Sequence, residues 1–415
     1  MHKDEEILLL QMEGALAPST GCTEPSALAL NAATARRHAQ GEIRSIDIRL
    51  DAYLFKNAMV VGIPGADTRG VPMCVALGVT AGDADAGLDV LHTVTPQALE
   101  KAKALLDKIH LSIADNVSEL FIETTLETDS DCVRVITYRQ HDNIVDISHP
   151  PFTPFSTQEG ERPTPVIQRY TLDHFLDLAA TVPLERLAFL RKAVAMNTRI
   201  YEKGESLRME RFIAPGGSAA SASDAAKRMA GTASYARMSG VPLPVMTATG
   251  SGNQGITLYL TMEAVARHLG IDEEEKLRAM ALASLVNIYI KSFIGELSSV
   301  CACGVSSGLA ASMGVVRMLG GGKRNMLLAA RNVLGSISGM ICDGAKEGCA
   351  NKVALSAGLA VESALMAVED VGIGADNGIL DESFEGLVSH LAQLVNVGMG
   401  ATNRTIVDIM LDGAQ

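Results

Sequence analysis

The chain has 415 residues, 47% of them apolar, with 38 glycines, seven cysteines and no tryptophan. That length favours two domains, or one core with a large insertion, and a net charge of −13 without a basic, aromatic-laced cluster argues against a nucleic-acid partner. The first residues, MHKDEEILLLQMEG, carry acids where a secretory leader carries bases, so the location expected is the cytoplasm, with reduced thiols.

Residues 5–40 read as two helices broken at APSTG, with Thr23 as N-cap and Glu24 and Pro25 in the first turn of the second. From Glu42 the period becomes two: IRSIDIRLDAYL alternates as a half-buried strand does, and NAMVVGIPGADTRGVP reads as a strand entering a Gly/Pro loop. VPMCVALGVTAG and TPQALEKAKALLDKIH are helical, whereas LSIADN, ELFIETTLET, DCVRVITYRQ and NIVDIS read as four strands. Cys74 and Cys132, inside these segments, are expected to be small buried hydrophobes. A proline-rich stretch, HPPFTPFSTQEGERPTP, closes this unit.

Beyond Tyr170 the period is helical, with helices expected at 172–180, 183–202, 222–238, 254–269, 272–295, 297–318, 323–338, 347–368 and 381–398. The fold class expected is α+β: a large all-α core, residues 1–40 and 166–415, carrying an inserted α+β unit, 41–165, with an antiparallel sheet. The stretch 297–316 has no charge, yet its Ser, Gly and Ala content reads as a buried core helix, so no membrane partner is expected.

Three segments carry chemistry. TATGSGNQGITLYL contains G-x-G-x-x-G at Gly250, Gly252 and Gly255. A dinucleotide site needs a preceding strand and βαβ continuation, and VPLPVM is a poor strand. The economical reading is an anion-binding loop in which freed backbone N–H groups and Ser251, Gly252, Asn253 and Gln254 meet a helix start; the competing reading is a tight helix–helix turn. LSSVCACGVSSG supplies Cys301 and Cys303, and GMICDGAKEGCANKV supplies Cys342 and Cys349. Cys-x6-Cys without a nearby histidine is not a structural zinc spacing. An iron–sulfur cluster tolerates wide spacing, and packing of small apolar thiols is the alternative.

GCTEP, GSGNQGI and GMICDGAKEGCANKV, in that order, resemble the L-cysteine desulfidase family of the serine dehydratase α-like group, many of whose members are uncharacterised. FKNAMVVGIPG, GDADAGLDVL and ASYARMSG resemble further landmarks, so the resemblance spans nearly the whole chain. It implies an oxygen-labile [4Fe–4S] cluster on three cysteines with one iron open, and non-redox breakdown of L-cysteine to pyruvate, ammonia and sulfide without pyridoxal phosphate. By that resemblance Cys22 and Cys342 are ligands, Cys301 is the third, and Cys303 and Cys349 are reserves. Helix starts are expected to lower the thiol pKa values.

Elimination also needs a base for the Cα proton and groups for the substrate's carboxylate and ammonium. Lys56, Lys291 and Lys346 are candidate bases, and Glu24 is the candidate for the ammonium. Arg237 and the GSGNQG loop are candidates for the carboxylate, with Asn57 beside them. His141, in RQHDNIVDI, matches a family position and reads equally as a structural histidine. Tyr235 departs from the aspartate of the relatives. A small amino-acid substrate and a homodimer are expected. The alternatives are an L-serine dehydratase of the same group, a non-catalytic amino-acid sensor, and a dithiol regulator using Cys342 and Cys349. GCTEP and the narrow Cys342–Cys349 gap favour the thiol substrate over serine.

Overall fold

Alternating and helical periods sort most of the buried residues onto two large hydrophobic cores. The computed structural model describes residues 3–21, 23–63, 68–92, 94–114, 117, 119–156, 164–214, 220–295 and 298–412. The first elements are α1 (Lys3–Gly14), β1 (Pro18–Thr20), α2 (Thr23–His38), β2 (Ile43–Leu50), α3 (Ala52–Ala58), α4 (Val71–Ala81) and α5 (Pro96–Lys103). Then come β3 (Ile109–Ile113), β4 (Phe121–Thr128), β5 (Cys132–Tyr138) and β6 (Ile144–Ser148). These five longer strands form one sheet of order β3-β2-β4-β5-β6. Along β2, Ile46, Ile48 and Leu50 are buried while Asp47 and Arg49 are exposed, as a period of two dictates.

The sheet is mixed, not antiparallel as expected, because β3 pairs parallel to β2 with Ile46 opposite Ile109. The path between them runs through α4 and α5, a crossover that allows parallel pairing where a tight hairpin does not. A second correction concerns DAYL and NAMVVG, expected to be strand. The Asp51 carboxylate accepts from the amides of Tyr53 and Leu54 and starts α3 there. After α3, Gly62 makes only an isolated bridge to Arg69.

The boundary expected near residue 40 does not divide the packing. Ala27, Leu28, Ala32 and Ala35 of α2 share a core with Ile122, Leu126, Val133 and Val135 of the sheet. A Cβ on Gly78 of α4 would lie 2.5 Å from the Ala29 carbonyl, so glycine lets the two helices approach. By contrast Leu8, Leu9 and Met12 of α1 lie in the helical core.

That core continues with α6 (Leu172–Thr181), α7 (Ala188–Ser206), α8 (Ala222–Met238) and a short β7 (Pro244–Met246) antiparallel to β1. Next, α9 (Gly252–Gly255) passes through a π-helical turn (Ile256–Leu260) into α10 (Thr261–Leu269). The remaining helices are α11 (Glu273–Ile294), α12 (Ala302–Met318), α13 (Lys323–Ile337), α14 (Cys349–Val368), α15 (Phe384–Gln393) and α16 (Thr402–Asp412). Two of these, α11 and α14, are long and apolar enough to cross a membrane, with 83% and 56% of their apolar windows buried inside the protein. The helix expected from 297 starts at Ala302, because Val300 instead bridges Ile341 in an extended segment. α16 returns to the first core, where Val407 packs with the sheet.

Candidate active site

The extended segment before α12 creates the site. The Cys301 amide donates to the Met340 carbonyl at 2.7 Å, and the Cys342 amide to the Ser299 carbonyl at 2.8 Å. This pairing brings two cysteines 41 positions apart onto adjacent chains at the start of α12. Gly344 then turns the backbone with φ +94°, and a Cβ there would lie 2.1 Å from the Lys56 carbonyl. Cys349 opens α14, its Sγ 3.4 Å from the Gly344 carbonyl. The Cys303 Sγ lies 3.7 Å from Ser251 Oγ.

These thiols line a cavity of about 160 Å³ together with Glu24, Lys56, Asn57, Arg237, Ser251, Asn253 and Gln254. Tyr53, His141 and Thr249 complete much of the wall. The volume is well below the ~300–1,000 Å³ of sites for drug-sized ligands and suits a small metabolite. The α+β unit contributes the lysine, asparagine and histidine; the helical core contributes the thiols and the glycine loop.

Lys56 is 1% exposed, and its ammonium donates to Asn403 Oδ1 of α16 at 2.7 Å. Desolvation pulls its pKa down, opposed by the neighbouring Cys342, Asp343 and Cys301. Asn403 in turn donates to Ser299 Oγ at 2.9 Å, tying the last helix, α3 and the thiol-bearing segment into one network. Asn57 Nδ2 donates to Glu24 Oε1 at 3.0 Å.

Thiol acidity departs from the expectation for helix starts. The Cys301 thiol is pushed well up by its hydrogen bond with Cys303 and by burial. Burial also raises Cys342, against the pull of Lys56, and lifts Cys349 to about 12. Loss of water and crowding of like charges outweigh the helix dipole here. Cys74 is fully buried, and burial puts it at about 12, as a packing residue requires. Cys132 is only partly buried on β5, contrary to its expected burial.

Arg237 lies on the wall but is already engaged. It donates to the Gly21 carbonyl at 2.6 Å and to Asn253 Oδ1 at 3.3 Å. A Cβ on Gly252 would sit 2.5 Å from its Nε, so Gly252 backs onto the guanidinium and is not part of the wall. Gly255 serves contact as well: a Cβ would lie 2.1 Å from the Met246 carbonyl. With β7 antiparallel to β1 and no βαβ continuation among the described residues, the loop is not a dinucleotide fingerprint.

Lys291 is not on the cavity wall; it is buried on α11 and its ammonium bonds the Gly295 carbonyl. Lys346 is salt-bridged to Asp343, which also takes Lys352 at 2.6 Å. Despite partial burial these lysines hold Asp343 down at about 2. Tyr235 stacks on Phe212, ring centroids 4.4 Å apart, outside the cavity lining. Cys22 lies outside the described residues. Asn403 and Tyr53 were not anticipated: Asn403 is 347 positions from Lys56 and has no local motif to mark it.

The model of the serine dehydratase alpha chain matches residues 85–408. The chain belongs to the serine dehydratase alpha chain family. Relatives along nearly its full length include a UPF0597 protein of Clostridium tetani, 33% identical over 98% of this chain and 99% of that protein. A UPF0597 protein of Bacteroides fragilis is 35% identical, covering 99% of this chain and 98% of its own. The family match covers four of the five strands of the larger sheet and the thiol-bearing segments with His141, whereas Glu24, Tyr53, Lys56 and Asn57 of the cavity wall lie before it.

The donor set fits the cluster that the resemblance implies. Cys301, Cys342 and Cys349 share one wall and feel one another's charge. Soft thiolates are the ligands of iron–sulfur clusters, and Lys56 and Lys352 lie close enough to offset their charge. Among the described residues no three His, Cys, Asp or Glu side chains are arranged to hold a single metal ion. A cluster, being larger than one ion, does not need its ligands drawn so close.

Proposed function

We propose that the protein is an iron–sulfur-dependent carbon–sulfur lyase that converts L-cysteine to pyruvate, ammonia and sulfide. The observation that carries this reading is the meeting, on one small cavity, of several thiols, a desolvated lysine and a polar glycine loop. Cys301 and Cys342 would hold the cluster, with Cys22 as the third ligand by resemblance and Cys349 within the same wall. When bound, the cluster supplies a Lewis-acidic iron that makes the substrate's sulfur a better leaving group.

The chain's own residues do the rest. Ser251, Asn253 and the start of α9 receive the carboxylate, since backbone donors and the helix dipole favour an anion there. Glu24, held by Asn57, receives the ammonium. Arg237 fixes the spacing of the two loops by bonding one carbonyl and one side chain. Lys56 sits beside Cys342 and Cys301 and neutralises charge that gathers on sulfur.

The test is sulfide release by anaerobically purified, iron-reconstituted protein, with L-serine alongside and Cys342→Ala as control. Sulfide and pyruvate in stoichiometric amounts, lost in the variant, are expected. Pyruvate from serine alone would make the protein a dehydratase. Binding without product from either amino acid would make it a sensor.

A further inference from the structure

Among the ionisable side chains on the cavity wall, most are already committed. Lys56 is held by Asn403, Glu24 accepts from Asn57, and Arg237 is spent on Gly21 and Asn253. Lys56 also lies at the thiol end, where its nearest ionisable neighbours include Cys342 and Cys301. Two nitrogens of these wall side chains are left over: Arg237 Nε, which backs onto Gly252, and a ring nitrogen of His141. Its Nε2 is buried and has no hydrogen-bond partner among the described residues, and its ring lines the cavity.

A buried ring nitrogen without a partner has given up its hydrogen bond to water and gained none in return. No described residue occupies that nitrogen, so a bound molecule is the natural partner. The ring reaches the cavity from the turn between β5 and β6, which Arg139 enters with φ 69°. The turn is anchored: the Arg139 amide bonds the Leu120 carbonyl, and Asn143 Nδ2 bonds the Tyr138 carbonyl. His141 is thus mounted on the α+β unit, while the thiols are mounted on the helical core. A substrate whose sulfur faces the thiols turns its other atoms toward the wall where His141 stands.

We propose that His141 is the catalytic base of this site, taking the substrate's Cα proton at Nε2. This rests on the lyase reading and assigns its proton transfer to a histidine, not to Lys56 or Lys291. As the Cα–H bond breaks, its electron pair becomes the Cα–Cβ π bond, and the Cβ–S bond breaks with its pair leaving on sulfur. The proton on Nε2 passes to the departing sulfide. The aminoacrylate tautomerises to an imine, which water hydrolyses to pyruvate and ammonia. Imidazole suits this step because it is the side chain best able to be neutral and still basic at neutral pH.

The test compares His141→Gln and His141→Ala with wild type on L-cysteine, after anaerobic iron reconstitution. Initial rates of sulfide release are read with and without added imidazole, and remaining substrate is analysed by mass spectrometry for deuterium at Cα in heavy water. Loss of a general base lowers kcat by about 10²–10⁴-fold, with KM held within about threefold. Imidazole should restore part of the rate in the alanine variant and none in the glutamine variant, whose side chain fills the space. Any Cα exchange seen in wild type should vanish in both variants. A merely structural histidine would change KM and thermal stability together and would gain nothing from imidazole; that result overturns the assignment. So does a variant turning over within about threefold of wild type. If wild type itself releases no sulfide, the lyase reading falls and the assignment falls with it.

Discussion

Asp51 offers a measurement of the site's foundations that requires no cofactor. The residue is fully buried, caps α3 through Tyr53 and Leu54, and accepts from the Phe121 amide at 2.8 Å. It therefore joins the helix bearing Lys56 to the start of β4. Burial raises its carboxyl pKa from 3.8 to about 6, with the three amide bonds opposing. Because the folded value lies above the unfolded one, the native state binds more protons between them. The stabilisation is fully present below the unfolded value and is lost as pH rises through the folded value. Going from about pH 8 to about pH 5 should strengthen the native state by ~1.4 kcal/mol through this group alone. Asp51→Ala removes the titration and strands three amides, each costing about 1–3 kcal/mol, so a loss of roughly 3 kcal/mol or more is expected. The discriminating quantity is the difference between the variant's deficit at the two pH values, taken from urea unfolding. The deficit should be larger at about pH 5 by about 1.4 kcal/mol. A deficit that is equal, or larger at about pH 8, would mean that the amides win over desolvation and that Asp51 is an ordinary ionised cap.

Lys56→Met exchanges a desolvated ammonium for an apolar chain of similar length. It should shift unfolding free energy by no more than about 1.5 kcal/mol, since removing a poorly solvated charge offsets the lost bond to Asn403, while sulfide release falls severely; an equally severe fall in stability would show that Lys56 is structural. Asn403→Leu leaves that ammonium buried and unmet, which should cost about 1.5–3 kcal/mol and speed proteolysis near α16; unchanged urea unfolding would contradict the network. Gly344→Ala meets both a φ of +94° and the Lys56 carbonyl. Strain in that region costs about 1–3 kcal/mol before any clash, and a variant of wild-type stability would refute the close approach.

Local signals made the α+β class, most helix spans and most cavity residues legible in the sequence. The segment 222–238 was bounded correctly because Ser221 caps it by accepting from the Asp224 amide. What was missed depends on tertiary pairing. An extended 298–301 cannot be told from a helix start until Ile341 lies beside Val300. Parallel pairing of β3 with β2 likewise leaves no mark on either strand's alternation. At the site, the glycine loop and the core cysteines announced themselves by composition. The commitment of Arg237 to Gly21, and of Lys291 to Gly295, could not be read, since a sequence gives charges but not their partners. Thiol acidity failed for a related reason: a helix start is local, whereas desolvation is a property of the whole enclosure.

The composition of this enclosure bears on whether it is a place of reaction or merely of binding. Taken one at a time, its members weaken the fold: a lysine 1% exposed with a lowered pKa, thiols crowded enough to raise one another, and a histidine nitrogen left unmet. Elsewhere in the helical core the same fold buries alanine, leucine and valine at 0% exposure. Structural needs alone would be met by apolar residues at these positions, as they are a few turns away. Unfavourable groups gathered from α3, the β5–β6 turn and the starts of α12 and α14 onto one small cavity are what acid–base and metal chemistry require. An amino-acid sensor needs the carboxylate and ammonium contacts but has no use for a desolvated lysine beside a wall of thiols. The concentration of strain at the thiol wall thus favours a lyase over a receptor.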